Sequence, residues 1–207
     1  MVKWGSVALV AGSIVTGMAQ AIHPTEAPQD AAGFIKYVAE SHNWVAIHWA
    51  ILIGAVLITG GFGVVYRLLH DAGDRGYALL GLAAALVALA VGTVWVTLEA
   101  SVAAGIATLY VQASDKTVLA ANFQPFVWWD FALARVALLI TWFSVFLYAV
   151  AMVASHVYPR WVGAAGWLIG TVGFGYLLLV GFGRPFQIIG ILTTAWTLII
   201  GWYTWAK

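Results

Sequence analysis

Four residues at one end of the apolar segments carry side chains that bind metals or move protons. His23 and Glu26 lie in the sequence His-Pro-Thr-Glu after the first apolar segment, His48 lies one turn inside the second, and Glu99 ends the third. Imidazole and carboxylate groups suit copper, zinc or iron. We therefore predict a metal site formed by these four side chains, with a role in electron transfer or oxidative chemistry.

The two histidines of this set are also candidates for binding haem b. A bis-histidine haem needs two histidines from different helices at similar depth, and His23 and His48 belong to neighbouring segments. No HExxH motif or phosphate-binding glycine loop narrows the choice. The cofactor therefore stays open between a metal ion and haem b, and a hydrogen-bonded cap that closes the helices against water explains the same residues without a ligand.

A wider polar network is predicted around this site. Asp130, Arg135 and Arg184 stand near the ends of later apolar segments, and His42 precedes the second one. An unpaired charge at the centre of a bilayer costs about 2.5–3.5 kcal/mol on insertion scales, so such groups usually have partners. We expect Glu99 to pair with Arg135. His42 also suits a solvated position in the connection.

Composition places the chain in the membrane. Of its 207 residues, 63% are hydrophobic and 8% are charged, and the mean hydropathy is +0.95, whereas soluble domains contain about 25% charged residues. With this composition, a soluble fold of the same size would have too few polar residues to cover its surface. The absence of cysteine excludes disulfides, thiolate metal sites and covalent c-type haem.

The apolar runs predict an all-α, polytopic membrane helix bundle. A bilayer core of about 30 Å needs roughly 20 helical residues. The chain forms one domain, residues 1–207, with six transmembrane helices at about 4–22, 44–69, 77–98, 131–155, 161–182 and 186–205. Residues 34–38 have the spacing of a short interfacial helix between the first two spans, which would cover the bundle. The apolar stretch 100–111 either protrudes or re-enters, which leaves the path of residues 99–125 open.

Basic residues favour a cytoplasmic location for both termini. Lysine and arginine concentrate in cytoplasmic loops. The terminal side carries Lys3, Arg67, Arg75, Arg160 and Lys207, whereas the other side carries Lys36, Lys116 and Arg184, with Arg135 just inside the membrane. We therefore expect an integral protein of the cell (inner or cytoplasmic) membrane.

Three functions remain open from the sequence. The first is a metal- or haem-binding subunit of a membrane electron-transfer or oxidative complex. The second is a non-catalytic accessory subunit, whose tryptophan- and glycine-rich helices pack against a larger complex. Within the bundle, Gly166 and Gly170 form a GxxxG pair that permits close helix packing. The third is a small transporter or membrane enzyme for an apolar substrate, with Glu99, Asp130 and Arg135 as a proton relay or anchor. Expected partners are the bilayer and either other membrane subunits or further copies of this chain; no nucleic-acid partner is expected.

Overall fold

A computed structural model describes residues 1–24, 28–74 and 76–207. Glu26, a predicted ligand, and Arg75, one of the basic residues used to orient the chain, lie outside the described residues. Within the described ranges the chain is helical and contains no strand. The elements are α1 (Val2–Ile22), α2 (Ala31–Glu40), α3 (Trp44–Asp71), α4 (Tyr77–Thr97), a π segment (Leu98–Ala103), α5 (Ala104–Gln112), α6 (Lys116–Ser155), α7 (Arg160–Leu179) and α8 (Arg184–Trp205).

The six predicted transmembrane helices and the short helix between the first two are confirmed. Two helices are longer than the predicted spans. The third continues through the π segment and α5 to Gln112, past the expected end of its span near 98, and α6 begins at Lys116, ahead of the span expected from about 131. Pro125 lies inside α6. Because proline has no N–H, the Ala121 carbonyl has no helical hydrogen-bond partner. Both residues are exposed, and the helix continues past the proline.

The six spanning helices form a closed ring. Helix α1 packs on α3 and α8, α4 packs on α3 and α6, and α7 packs on α6 and α8. Several contacts are hydrogen bonds to backbone carbonyls, such as Tyr148 Oη to Phe62 (2.9 Å), Ser144 Oγ to Gly81 (2.7 Å) and Ser6 Oγ to Gly201 (2.6 Å). Polar side chains within a bilayer need such partners because lipid offers none.

Small residues bring neighbouring helices close together. A Cβ on Gly12 of α1 would lie 2.8 Å from the Gly54 carbonyl oxygen of α3, and one on Gly54 would lie 2.9 Å from the Gly12 oxygen. The Gly166–Gly170 pair also lies at close contacts, because a Cβ on Gly170 would meet the Phe146 backbone nitrogen at 2.8 Å. Packing of this kind replaces the hydrophobic driving force that is absent inside lipid.

The two longest spanning segments extend beyond the membrane and build a cap at the end opposite the termini. Helix α6 has 40 residues, about 60 Å at 1.5 Å per residue, against a bilayer core of about 30 Å. The cap comprises α2, α5 and residues 116–130 of α6. Its buried apolar residues include Phe34, Ile35, Val38, Ala107, Phe123 and Val127. The stretch 100–111 is therefore a helical extension that packs in the cap.

The side chain of Gln124 fastens α2 to α6. Its Oε1 accepts from the Ala31 backbone N–H (2.8 Å), and its Nε2 donates to the Gln29 carbonyl (3.1 Å). Asp30 caps the same end of α2 by accepting from the Gly33 N–H at 2.8 Å. The short helix is thus held over the ring by its own N-terminus.

Candidate functional site

A cavity of about 440 Å³ lies between the spanning helices, beneath the cap. Helices α1, α3, α4, α6 and α8 supply most of its walls, and most of the lining side chains are apolar. Small residues such as Ala55, Ala88, Gly92, Ala134 and Ala137 line it and take up little of the space. Ligand pockets commonly measure about 300–1,000 Å³, so this cavity is large enough for a small organic molecule.

Two carboxyl groups meet on the wall of this cavity. Glu99 is 5% exposed and Asp130 is 2% exposed, and their side chains interact directly. Glu99 Oε2 and Asp130 Oδ1 each lack a hydrogen-bond partner in the described part of the chain. Buried polar atoms without a partner are rare in folded proteins. The pair therefore offers acceptors to a group that enters the cavity.

Trp95 completes this polar cluster. Its indole N–H lies near both carboxyl groups, but within the described residues Nε1 makes no hydrogen bond of full geometry. Trp95 and Glu99 are four residues apart, so their side chains share one face of the helix. The cluster thus presents both a donor and acceptors to the cavity.

The π segment shapes the backbone at Glu99. A π turn departs from the regular α-helical hydrogen-bond pattern, and such turns are frequent at functional sites. Here Trp44 Nε1 of α3 donates to the Glu99 carbonyl oxygen at 3.0 Å. This bond also ties the start of α3 to the end of the third span, where the cap begins.

His23, Trp44 and His48 form a cluster of contacting rings beside the cavity. The His23 ring centroid lies 5.2 Å from that of His48 and 5.6 Å from that of Trp44, and the His48 and Trp44 centroids are 4.4 Å apart. His23 and Trp44 also line the cavity. His23 and His48, which come from different segments, therefore lie side by side.

Backbone contacts set the tautomers of both histidines. His23 Nδ1 lies 2.7 Å from the Pro24 carbonyl oxygen, and His48 Nδ1 lies 2.8 Å from the Trp44 carbonyl oxygen. A carbonyl only accepts, so each Nδ1 carries the proton and each neutral ring has a lone pair on Nε2. His48 Nε2 is buried and unpartnered within the described residues. Burial also lowers the pKa of His23, against the opposing effect of its hydrogen bond to Pro24.

The predicted four-residue metal site is assembled only in part. His23 and His48 are adjacent, Glu99 contacts Asp130, and Glu26 lies outside the described residues. In the ranges that the structure describes, no group of three or more histidine or carboxylate side chains is placed to hold a metal ion. A haem between the two histidines does not fit either: with metal–nitrogen bonds of about 2.0 Å, the ring centroids would stand about 6 Å apart, whereas these rings are in contact at 5.2 Å.

The predicted polar network divides between the cavity and the surface. Asp130 lines the cavity, but Arg135 is exposed and its guanidinium lies over Gly181. The expected pairing of Glu99 with Arg135 was therefore wrong. His42 is exposed, as a solvated residue would be, and Arg184 is exposed at the start of α8.

Sequence reasoning missed three residues that line the cavity. Trp95, Thr16 and Gln20 were not singled out from the sequence, yet Trp95 Nε1, Thr16 Oγ1 and Gln20 Oε1 are buried without partners in the described structure. Their spacing in the sequence could have identified them. Thr16 and Gln20 are four residues apart and share a helix face, as do Trp95 and Glu99.

No family model matches the chain, and searches of the curated proteins and of the solved structures found no match. The function is therefore argued from the geometry of this chain alone.

Proposed function

We propose that this protein binds a mostly apolar molecule with a polar head inside its transmembrane ring, as a small transporter or membrane enzyme for such a substrate. The apolar walls would hold the hydrocarbon part, and the cluster of Trp95, Glu99 and Asp130 would bind the head. This is the third of the functions left open by the sequence, with Arg135 removed from the anchor.

The cavity with its unpartnered polar atoms carries the proposal. Binding sites for small molecules are mostly apolar and contain a few converging polar groups. Here the cavity holds about 440 Å³, and three of its lining residues, Trp95, Glu99 and Asp130, each have a buried polar atom without a partner in the described structure. A ligand head would satisfy atoms that the protein itself leaves unpaired.

Filling the cavity tests the proposal. In Gly92→Leu the new side chain would extend into the cavity, because a Cβ there meets only Ala137 Cβ, at 3.9 Å. Decan-1-ol is the probe, and the unfolding temperature in an uncharged detergent is the measurement, since a bound ligand stabilises the folded state. We expect decanol to stabilise the parent protein and to lose most of this effect in Gly92→Leu.

Gly60→Leu is the matched control. Gly60 is exposed on α3, and a Cβ there meets nothing within 4 Å. Stabilisation by decanol should be unchanged in this variant. If decanol stabilises the Gly92→Leu and parent proteins equally, the cavity is not the binding site.

A second candidate function is metal binding by His23 and His48, which would place the protein in an electron-transfer or oxidative complex. The favouring observation is the tautomer of both rings, because hydrogen-bonded Nδ1 atoms orient metal-binding imidazoles in proteins. Two neutral imidazoles with lone pairs on Nε2 suit copper or zinc. The metals would bind at the edge of the cavity beside Trp44.

Metal content of the purified protein tests this second candidate. One copper or zinc ion per chain is expected in the parent protein and in His42→Ala, whose altered side chain is exposed. His48→Ala should lose the ion while it keeps its helical content. Equal metal content in His48→Ala and the parent would exclude the pair as ligands.

The accessory-subunit alternative stays a prediction. The mass of the complex extracted in mild detergent would test it.

A further inference from the structure

Within the described ranges, the carboxyl pair in the cavity has no lysine or arginine beside it. Among the described residues, no lysine or arginine lines the cavity, and its titratable lining groups are Glu99, Asp130 and His23, with His48 in contact with His23. Two ionised carboxylates in contact repel each other strongly when little water surrounds them. The ligand-free pair is therefore most stable when it holds protons.

We propose, as an extension of the proposed function, that Glu99 and Asp130 take up the protonated amine head of an amphiphilic ligand in exchange for a proton. One O–H bond of the carboxyl pair breaks and its proton leaves to solvent. The ammonium keeps its own protons and binds the carboxylate that remains. The charge inside the cavity is the same before and after the exchange.

The free acceptor atoms favour an ammonium head over other heads. An alkylammonium carries three N–H donors, and the residues that line the cavity include Glu99, Asp130 and Gln20, each with one side-chain oxygen that has no partner in the described structure. Thr16, which is 7% exposed, adds an unpartnered hydroxyl on the α1 side of the cavity. An alcohol head donates only one hydrogen bond, and a carboxylate head would bring a negative charge into a cavity that no lysine or arginine of the described residues lines.

Three probes with the same ten-carbon chain test the head selectivity: decylamine, decan-1-ol and decanoate. At pH 7 decylamine is protonated, because alkylammonium groups ordinarily have a pKa near 10.4. Apparent dissociation constants come from the unfolding temperature as a function of probe concentration. A pH indicator in weak buffer measures the protons released.

In the parent protein we expect decylamine to bind about 10-fold or more tightly than decanol, since hydrogen bonds between charged groups are stronger than those of a neutral alcohol. About one proton should be released for each amine bound. The double variant Glu99→Gln with Asp130→Asn should bind the amine and the alcohol equally. Glu40→Gln, which changes an exposed carboxylate, should keep the preference of the parent.

The proposal is overturned if decanol binds the parent protein as tightly as decylamine, if no proton is released, or if the double variant keeps the amine preference. If the double variant does not fold, the first two measurements on the parent protein decide. If the parent protein binds decanol but shows no preference for decylamine, the proposed function remains and only the ammonium proposal fails. Failure of every probe to bind would overturn the proposed function as well.

Discussion

At the scale of single residues, the partner of Glu99 is another acid instead of a base. Arg135 stands five residues after Asp130, which is about 140° around an α-helix at 100° per residue. The two side chains therefore leave α6 in different directions, and only Asp130 points into the ring. Pairing of opposite charges is the usual solution within a membrane, but the helix geometry prevents it here.

Removal of one buried acid should stabilise the ligand-free protein. Glu99→Met replaces a 5% exposed carboxyl group, whose Oε2 has no partner in the described structure, with an apolar chain of similar length. A buried polar group without a hydrogen-bond partner costs about 1–3 kcal/mol, so its removal should raise the free energy of unfolding by a similar amount. Unfolding in mild detergent measures the free energy. Glu40→Met, at an exposed site, should change it little, and a less stable Glu99→Met protein would contradict the prediction.

Acidification should weaken the contacts of His23. Burial lowers the pKa of His23 below its unfolded value of about 6.5, so the folded state favours the neutral ring. The resulting stability is present above pH 6.5 and is lost as pH falls through the folded-state pKa. The unfolding temperature of the parent protein should therefore fall between pH 7 and pH 5, and it should fall less in His23→Gln. His42→Gln, at an exposed site, should follow the parent; identical pH dependence in His23→Gln would refute this.

At the scale of helices, the lengths of the third and fourth spanning segments decide what covers the cavity. Both continue beyond the bilayer core, and the extensions hold α2 over the ring through the apolar residues of the cap. Apolar residues outside the membrane therefore form a small core of their own. Hydropathy alone does not distinguish such a core from a re-entrant segment, because both are apolar and of similar length.

The crossing of α1 and α3 should be sensitive to a single methyl group. In Gly54→Ala the added Cβ would lie 2.9 Å from the Gly12 carbonyl oxygen, so the backbones must separate. Overpacking of this kind costs about 1–3 kcal/mol. Gly60→Ala on the same helix is the control, because a Cβ there meets nothing within 4 Å. Denaturation in detergent should show that Gly54→Ala is less stable than both the parent protein and Gly60→Ala. Equal stability of the two variants would contradict the close crossing of α1 and α3.

At the scale of the whole molecule, six crossings place both termini on one side of the membrane and the cap on the other. Helices α6, α7 and α8 separate Lys116 from Lys207, so these two positions should face opposite compartments. The bias of basic residues predicts that Lys207 is cytoplasmic.

Labelling of single cysteines tests this orientation, and the chain contains no other cysteine. An impermeant thiol reagent added to intact cells should label Lys116→Cys and should reach Lys207→Cys only after the membrane is opened. Labelling of both variants from outside would overturn the arrangement of six crossings. Labelling of Lys207→Cys alone would reverse the orientation.

The sequence by itself determined the membrane class, the number of spans and the short helix between the first two. These features follow from local quantities: apolar length, proline position and the side of the membrane on which each connection lies. Polar side chains at the same end of several spans are restricted to a layer of the bundle, but this alone does not specify which of them meet.

The tertiary structure decided how the helices are ordered in the ring and therefore which side chains face one another. Asp130 instead of Arg135 meets Glu99 because α4 packs on α6 at one rotation of each helix, and neither rotation follows from hydropathy that is nearly uniform around the helix. The cavity likewise exists only where five helices and the cap leave space between them. Its volume depends on packing across the ring, which no single segment of the sequence specifies.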